Sequence, residues 1–549
     1  MNQLYYGDNL QVLRDPKAFP DESVDLIYLD PPFNSKRDYN LLFKSPKGQK
    51  SEAQIEAFKD SWLWGDQAER ELCEILKQKN TDVSQMMNAL IAFLGRNDMT
   101  AYLVMMANRL LELHRVLRPT GSLYLHCDPT ASHYLKIVLD AVFGKEMFQN
   151  EIVWKRTNAH NLRRKGYVRS NDVIFYYTKS ENFTFNELFT EYGEAQLKRF
   201  KPDENGRLYK AENMTFSMAN PSRQFEWRGT KPPSNRSWGA SLEQLEKWWA
   251  EGRILKRQDG SPRMDGLKIY LDDTKGIPLS TCWTDIERIA NTSGERLHYP
   301  TQKPLPLLER ILSVSSNAGD VVLDPFCGCG TAVHAAQKLG RRWIGIDITC
   351  LAIRLIEGRL KKAFPEAFGE EGKRLQFEVI GLPKDLESAR DLARRDKYQF
   401  QWWAVGLIDE AQPWQGKKKG ADTGIDGIRY FRDLDRKEVH TMLLSVKGGE
   451  NVGPAMVKDL IATLARDKAD IGLFLTLAPP TKAMLTEAAA AGFYESPNGK
   501  KYARLQLLTI AGLLDRTQRA EHPDYEPDTG YKKAKAEASG EQRVFEMPR

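Results

Sequence analysis

The six cysteines of this 549-residue chain form no Cys-x-x-Cys pair and have no histidine partners at zinc-ligand spacing, so neither a disulfide framework nor structural zinc is expected. Also missing is any apolar run of about 18 residues, which argues against a membrane-crossing helix. The N-terminus carries no charged stretch followed by an apolar one, so a secretory leader is not expected and a cytoplasmic location is the default. Charge of one sign is not in large excess: 80 basic against 74 acidic side chains leave +6 and a pI near 8.7, which permits a polyanionic partner without demanding one. Hydrophobic residues make up 41%, ample for folded cores, and the length suits about three domains.

What is present is a set of short motifs at the ends of apolar runs. Val24-Asp-Leu-Ile-Tyr-Leu29 reads as a buried parallel strand and is followed by Asp30-Pro-Pro-Phe-Asn-Ser35. Almost three hundred residues later, Val321-Val-Leu323 is a short strand leading into Asp324-Pro-Phe-Cys-Gly-Cys-Gly-Thr331, where Gly328 and Gly330 permit a tight turn and the chain from Thr331 reads as a helix. This strand, glycine loop and helix suit a cofactor. The loop departs from G-x-G-x-x-G and needs to cradle no pyrophosphate, which disfavours NAD. The next strand, Arg342-Trp-Ile-Gly-Ile-Asp347, ends in a carboxylate able to accept hydrogen bonds from both hydroxyls of a ribose. Cys327 and Cys329 lie in the glycine loop, where small side chains pack; His126 and His298 read as core or loop residues.

The 30–35 segment resembles the catalytic loop of the DNA amino-methyltransferases, and the 324–331 segment resembles their S-adenosylmethionine loop. Their order along the chain is that of the circularly permuted beta group, a resemblance covering residues 1–380. It implies that Asp30 and the carbonyl of Pro31 accept from the two hydrogens of an exocyclic amino group, with Pro31 and Pro32 fixing the loop, because that nitrogen's lone pair must be drawn out of the ring before it can attack. Phe33 would stack on a target base swung out of the duplex. Asp324, Phe326, Gly328, Gly330, Thr331 and Asp347 would hold the cofactor, Asp8 in Tyr6-Gly-Asp8-Asn9 would lie near its adenine, and Thr301, Gln302 and Lys303 in His298-Tyr-Pro-Thr-Gln-Lys-Pro304 near its methionine end. Asp rather than Ser at the loop's first position favours adenine N6 over cytosine N4 in this family. His126-Cys-Asp-Pro129 lacks the Pro-Cys dipeptide of enzymes that attack cytosine C6, so methylation at ring carbon is disfavoured.

Between the motifs, residues 36–98 read as a polar, helix-leaning insertion with Trp62 and Trp64, and Met99–Leu117 as a helix. Pro119-Thr-Gly121 reads as a turn, Ser122–Cys127 as a strand and Ala131–Phe143 as an amphipathic helix. The alternation predicts an α/β, Rossmann-like, mostly parallel doubly wound sheet. The segment 151–170 sets Lys155, Arg156, Arg163, Arg164, Lys165 and Arg169 against Glu151, with Trp154 and Tyr167 interleaved, a pattern that suits a phosphate backbone. The resemblance places a target recognition domain here. The expected division is 1–150 for the catalytic half, 151–295 for recognition of double-stranded DNA, and 296–385 for the cofactor half.

Residues 395–515 form a further unit. Gly420-Ala-Asp-Thr-Gly-Ile-Asp426 precedes one apolar run, and Thr441-Met-Leu-Leu-Ser-Val-Lys447 is another. An acid on one strand and a lysine ending the next resemble the PD-(D/E)xK restriction-endonuclease core, which implies a magnesium ion on Asp426 and a water oriented by Lys447. Ser445 stands where that family carries Glu or Gln, so Glu410 or Asp409, expected on the preceding helix, would have to supply the second carboxylate. The tail 516–549, rich in Lys, Glu, Pro and Gly, is expected to be disordered. The function expected is site-specific adenine-N6 methylation of duplex DNA in restriction-modification or host defence. Cytosine-N4 methylation, a bifunctional or DNA-cleaving protein, and a modification subunit serving a separate restriction subunit or acting as a homodimer are the alternatives.

Overall fold

The structure, a computed structural model, describes residues 2–32, 37–44, 50–60, 64–78, 80–158, 167–218, 220–290, 293–297, 299, 301–365, 377–414, 424–433 and 438–523, with backbone alone for 37–44 and 50–60. Contacts divide it into two units, Glu187–Ser280 and the residues flanking that segment on either side.

A nine-stranded sheet forms the frame of the larger unit. Its spatial order is Cys282–Trp283, Phe148–Lys155, Asn171–Thr178, Leu117–Cys127, Val24–Leu29, Val321–Asp324, Arg342–Asp347, Asn2–Tyr6 and Phe377–Ile380. Only Asn171–Thr178 pairs antiparallel to its neighbours; every other pairing is parallel. Helices cover both faces, which is why the central strands are apolar throughout rather than alternating. On one side Asp98–Val116 and Ser132–Phe143 bury Leu103, Leu110, Leu113, Leu135 and Leu139 against Ile27, Leu125 and Leu323. Asn97 and Thr100 close the N-terminus of the longer helix in a reciprocal cap. On the other side Leu305–Ser315, Thr331–Lys338 and Cys350–Ala363 bring Leu308, Ile311, Ala335 and Ile356 onto Leu26, Val322 and Trp343. The doubly wound α/β architecture is the one expected.

The differences have local causes. Residues 37–44 and 50–60 pair as antiparallel strands ahead of two helices, where a helix-leaning insertion was expected. The strand expected from Ser122 begins at Leu117 and passes through Pro119-Thr-Gly121 with a shift in register. Phe148–Lys155 and Asn171–Thr178 belong to the main sheet rather than to the intervening unit, because Trp154 is buried there and its indole N–H donates to the carbonyl of Ile286 at 2.8 Å.

The unit Glu187–Ser280 is thus narrower than the expected 151–295. It holds a four-stranded sheet in the order Ile254–Lys256, Pro262–Tyr270, Leu208–Glu212, Lys201–Pro202, and a core of Met214, Trp227, Trp238 and Leu245. Trp227 donates to Glu246 at 2.8 Å, and Arg228 lies 4.7 Å from the Trp249 ring.

Within the larger unit, residues from Leu386 onward build a second sheet in the order Gln412–Pro413, Gly427–Arg432, Val439–Lys447, Ile471–Thr476, Leu505–Thr509, antiparallel over the first three strands and parallel over the last three. The helix Lys397–Val405 packs on one face through Phe400, Trp403 and Ala404; Pro454–Arg466 and Lys482–Ala490 pack on the other through Val457, Leu460 and Met484. The first residues of the tail expected to be disordered are held in place: Gln518 accepts from Thr509 N at 2.7 Å and Glu521 N donates to Gln506 at 2.8 Å; residues beyond 523 lie outside the described ones. Among the described residues no helix is long and apolar enough to cross a membrane.

Leu113 is fully buried in the helix core. Leu113→Ala should lower unfolding stability by about 2–5 kcal/mol, read as a shift in the urea midpoint of the cooperative transition.

Candidate active site

Two carboxylates nearly three hundred residues apart in sequence emerge side by side. Val24–Leu29 and Val321–Asp324 are neighbouring parallel strands, with Leu26 opposite Val322 and Ile27 opposite Leu323. Asp30 follows the first strand and Asp324 ends the second. On the far side of Val321–Asp324, Asp347 ends the next strand and stands opposite Tyr6, just before Asp8. All four acids line one cavity of about 820 Å³ at the carboxyl edge of the sheet, together with Pro31, Pro32, Thr301, Gln302, Lys303, Phe326, Gly328 and Thr331. That size and position are those of ligand sites in open α/β sheets.

Asp30 is held by a cation. Lys303 Nζ donates to Asp30 Oδ1 at 2.6 Å and also reaches Oδ2, with both side chains largely buried. Lys303, expected near the methionine end of the cofactor, lines the cavity and pairs with this carboxylate. Behind it runs a buried chain: the Tyr28 hydroxyl lies 3.1 Å from His126 Nδ1, and His126 Nε2 lies 3.1 Å from Asp172 Oδ2. Burial and the charge of Lys303 hold His126 below the usual histidine range, while the bond from His126 helps to keep the Asp172 carboxyl low despite its burial. A neutral imidazole beside a carboxylate places its proton on Nε2, so Nδ1 accepts from Tyr28. His126 is a core residue as expected; His298 and Phe33 lie outside the described residues.

The glycine loop is shaped for close approach. Gly328 and Gly330 have φ of 49° and 73°; a Cβ on Gly330 would meet Ile356 Cγ1 at 2.7 Å. Gly328 N donates to Asp347 Oδ2 at 2.9 Å, and Thr349 N and Oγ1 donate to Oδ1 at 2.9 and 2.8 Å. Burial nevertheless pushes the Asp347 carboxyl up to about 6, and pushes Asp324 well above the carboxylate range with help from Asp30 and Asp347. Asp324 accepts from Phe326 N at 3.1 Å. Cys327 and Cys329 are buried packing residues.

Several contributors carried no recognisable sequence signal. Arg109, buried in the long helix, donates to Asp8 at 2.8 Å and to Asn9 at 2.6 Å. Arg359, buried beneath the loop, donates to the Cys329 carbonyl and the Thr331 hydroxyl, each at 3.1 Å. Asp396, Tyr398, Gln399 and Trp402 also line the cavity, from the helix preceding the C-terminal sheet. Gln302 braces its own loop, accepting from Leu297 N and donating to the Glu295 carbonyl at 2.8 Å each, and Thr301 sits in the left-handed region with φ 64°.

Of the basic segment, Lys155 and Arg156 are exposed, Arg156 pairs with Asp172 at 3.3 Å, and Arg169 donates to Thr130 at 3.4 Å; Arg163, Arg164 and Lys165 lie outside the described residues. In the C-terminal sheet, Asp426 accepts from Val446 N at 2.6 Å, next to Lys447 at the end of its strand. Asp409 and Glu410 are exposed in the turn after the helix rather than on it, and no cluster of three metal-binding side chains occurs among the described residues.

The chain is similar to several known proteins. The chain is 31% identical to the type II methyltransferase M.EcaI of Enterobacter cloacae over 47% of this chain and 57% of that one. It is 24% identical to the Mod subunit of the type III restriction-modification enzyme StyLTI of Salmonella typhimurium, over 62% and 50%. It thus spans about half the length of these two relatives. It is 25% identical to the DNA adenine methyltransferase YhdJ of Escherichia coli, over 66% and 83%. A solved DNA modification methylase of Thermus thermophilus, complexed with S-adenosyl-L-methionine, aligns over 69% of this chain and 100% of its own at 17% identity and a TM-score of 0.31. A sequence model described as DNA methylase matches residues 24–357, more than half of the chain, and the chain belongs to that family.

Proposed function

We propose that this protein is a site-specific DNA methyltransferase of a restriction-modification system that methylates adenine N6 in duplex DNA after flipping the base. The observation that carries the reading is the convergence of Asp30, Asp324 and Asp347 on one cavity at the ends of three adjacent parallel strands. The cavity fits the cofactor: its size is adequate, its glycine loop admits close backbone approach, and a buried carboxylate at the third strand end is available to two ribose hydroxyls. S-adenosylmethionine, when bound, supplies an electrophilic methyl group on a sulfonium. Asp347 holds the ribose, and Phe326 and Gly328 lie along the same wall.

Lys303 pairs with Asp30 and orients it, so that Asp30 accepts a hydrogen bond from the flipped amino group while the Pro31 carbonyl accepts the other. The nitrogen's lone pair then attacks the methyl carbon in line, and the amino proton is lost after transfer. Phe33 is the residue for stacking the flipped base. Lys155, Arg156, Arg163, Arg164, Lys165 and Arg169 contact phosphates, and Glu187–Ser280 reads the site. Asp at position 30 favours adenine N6 over cytosine N4, and the permuted beta-group arrangement is the one the motif order implies. The cytoplasm is the compartment where such a protein meets DNA, and the Mod-subunit relatives favour a separate restriction subunit as partner, with a homodimer as the alternative.

A second reading concerns the C-terminal sheet. The Asp426 carboxylate, bonded to the N–H beside Lys447, supports a PD-(D/E)xK-like site in which Asp426 holds magnesium. Glu410 or Asp409 would complete it.

Asp30→Ala should reduce transfer of labelled methyl to DNA by at least about a hundredfold while leaving duplex affinity within about twofold; retained transfer contradicts the role. Because burial raises Asp347 to about 6 and its ionised form accepts the ribose hydroxyls, affinity for S-adenosylhomocysteine should be full above that pH and fall as pH drops through it, approaching about tenfold per unit. Asp347→Asn should bind weakly with the slope removed, as titration calorimetry from pH 5 to 8 would reveal. If the second reading holds, magnesium-dependent cleavage of unmethylated DNA should appear on gels and vanish in Lys447→Ala; absence of cleavage in the unaltered protein rejects it.

A further inference from the structure

We propose that the helix Lys397–Val405, which belongs to the C-terminal domain, forms the adenine wall of the cofactor site, with Tyr398 and Trp402 holding the purine ring. The proposal rests on the methyltransferase reading and adds to it residues lying beyond the 24–357 family match. The helix enters the cavity from outside the methyltransferase sheet, and Asp396, Tyr398, Gln399 and Trp402 line it alongside Asp347, Ile348 and Thr349.

The position follows from three contacts. Gln399 Oε1 accepts from Cys350 N at 3.1 Å, satisfying the first turn of the helix Cys350–Ala363. Arg354, one turn further on, donates to the carbonyls of Trp403, at 3.3 Å, and Gly406. The wall is therefore tied to the segment that follows the ribose-binding acid, which is where the base attached to that ribose must lie. The opposite face of the helix is anchored by Phe400, Trp403 and Ala404, all buried in the core of the C-terminal sheet. On the cavity side two large apolar side chains stand open: Tyr398 is 62% exposed and Ile348 58% exposed. An aromatic ring and an aliphatic side chain bordering one cavity are a chemistry that takes a flat heteroaromatic ring. Stacking on an aromatic tolerates any base, so the ribose acid supplies the polar fix while Tyr398 and Trp402 supply contact area.

The test is equilibrium binding to the full chain, using S-adenosylhomocysteine and, separately, adenosine as probes, with titration calorimetry and the probe-induced rise in melting temperature as readouts. Tyr398→Ala and Trp402→Ala should each weaken both probes by between about fivefold and a hundredfold, and Tyr398→Phe should bind within about twofold of the unaltered chain. Tyr398 is exposed, so its alanine variant should melt at the unliganded temperature of the parent, which keeps the test decisive even if Trp402→Ala fails to fold. Parent-like affinity in Tyr398→Ala and in a folded Trp402→Ala overturns the inference while leaving the methyltransferase reading intact. An unaltered chain that binds neither probe removes that reading, and the inference with it.

Discussion

The parallel pairing of Val24–Leu29 with Val321–Asp324 is the constraint on which the site depends. A strand's side-chain period is two, so a slip of one residue would turn Leu26, Ile27, Val322 and Leu323 out of their respective cores. A further link holds the two strands together: Val321 N donates to Asp25 Oδ2 at 2.9 Å, while Arg118 from the strand on the other side pairs with Oδ1. With that register set, Asp30 and Asp324 are delivered to the same edge, and Asp347 follows from the next pairing. The long intervening chain returns Arg109, Thr301, Gln302 and Lys303 to that edge.

The cavity so formed is rich in acid, and most of that acid is at least partly buried. Each carboxyl is handled differently. Asp30 has Lys303, Asp8 has Arg109, and Asp347 has three donors from the loops around it, yet burial still raises its pKa. Asp324 has one backbone donor, and burial pushes it well toward the protonated form. Asp30 is thus paired with a largely buried lysine, while burial favours the protonated forms of Asp324 and Asp347 beside it. The Tyr28–His126–Asp172 chain backs this arrangement and ends at Arg156, at the start of the basic segment, so that segment is connected to the cavity by an unbroken run of polar groups.

Much of this was legible in sequence because it is local. Apolar runs of four to six residues ending in an acid, followed by prolines or glycines, declare strand ends and loops without reference to the rest of the chain. The Lys303–Asp30 pair was not legible, since 273 residues separate its members and the motif containing Lys303 pointed to the cofactor. Nor were Arg109 and Arg359, which look like ordinary cations in amphipathic helices. The boundary expected at residue 151 fell inside a sheet because charge marked Lys155 and Arg156 while burial of Trp154, one residue earlier, decided the strand. Tyr398 and Trp402 are four residues apart on a helix whose other aromatic residues, Phe400 and Trp403, are core; composition alone does not separate the two faces.

A crystal structure of the chain with a non-reactive cofactor analogue such as sinefungin would test the central claim most directly. The account predicts the analogue's ribose on the Asp347 carboxylate and its amine, which replaces the transferable methyl, opening toward Asp30 within the same cavity. An analogue seated elsewhere, or one whose amine faces away from Asp30 with no path for a base between them, would contradict it.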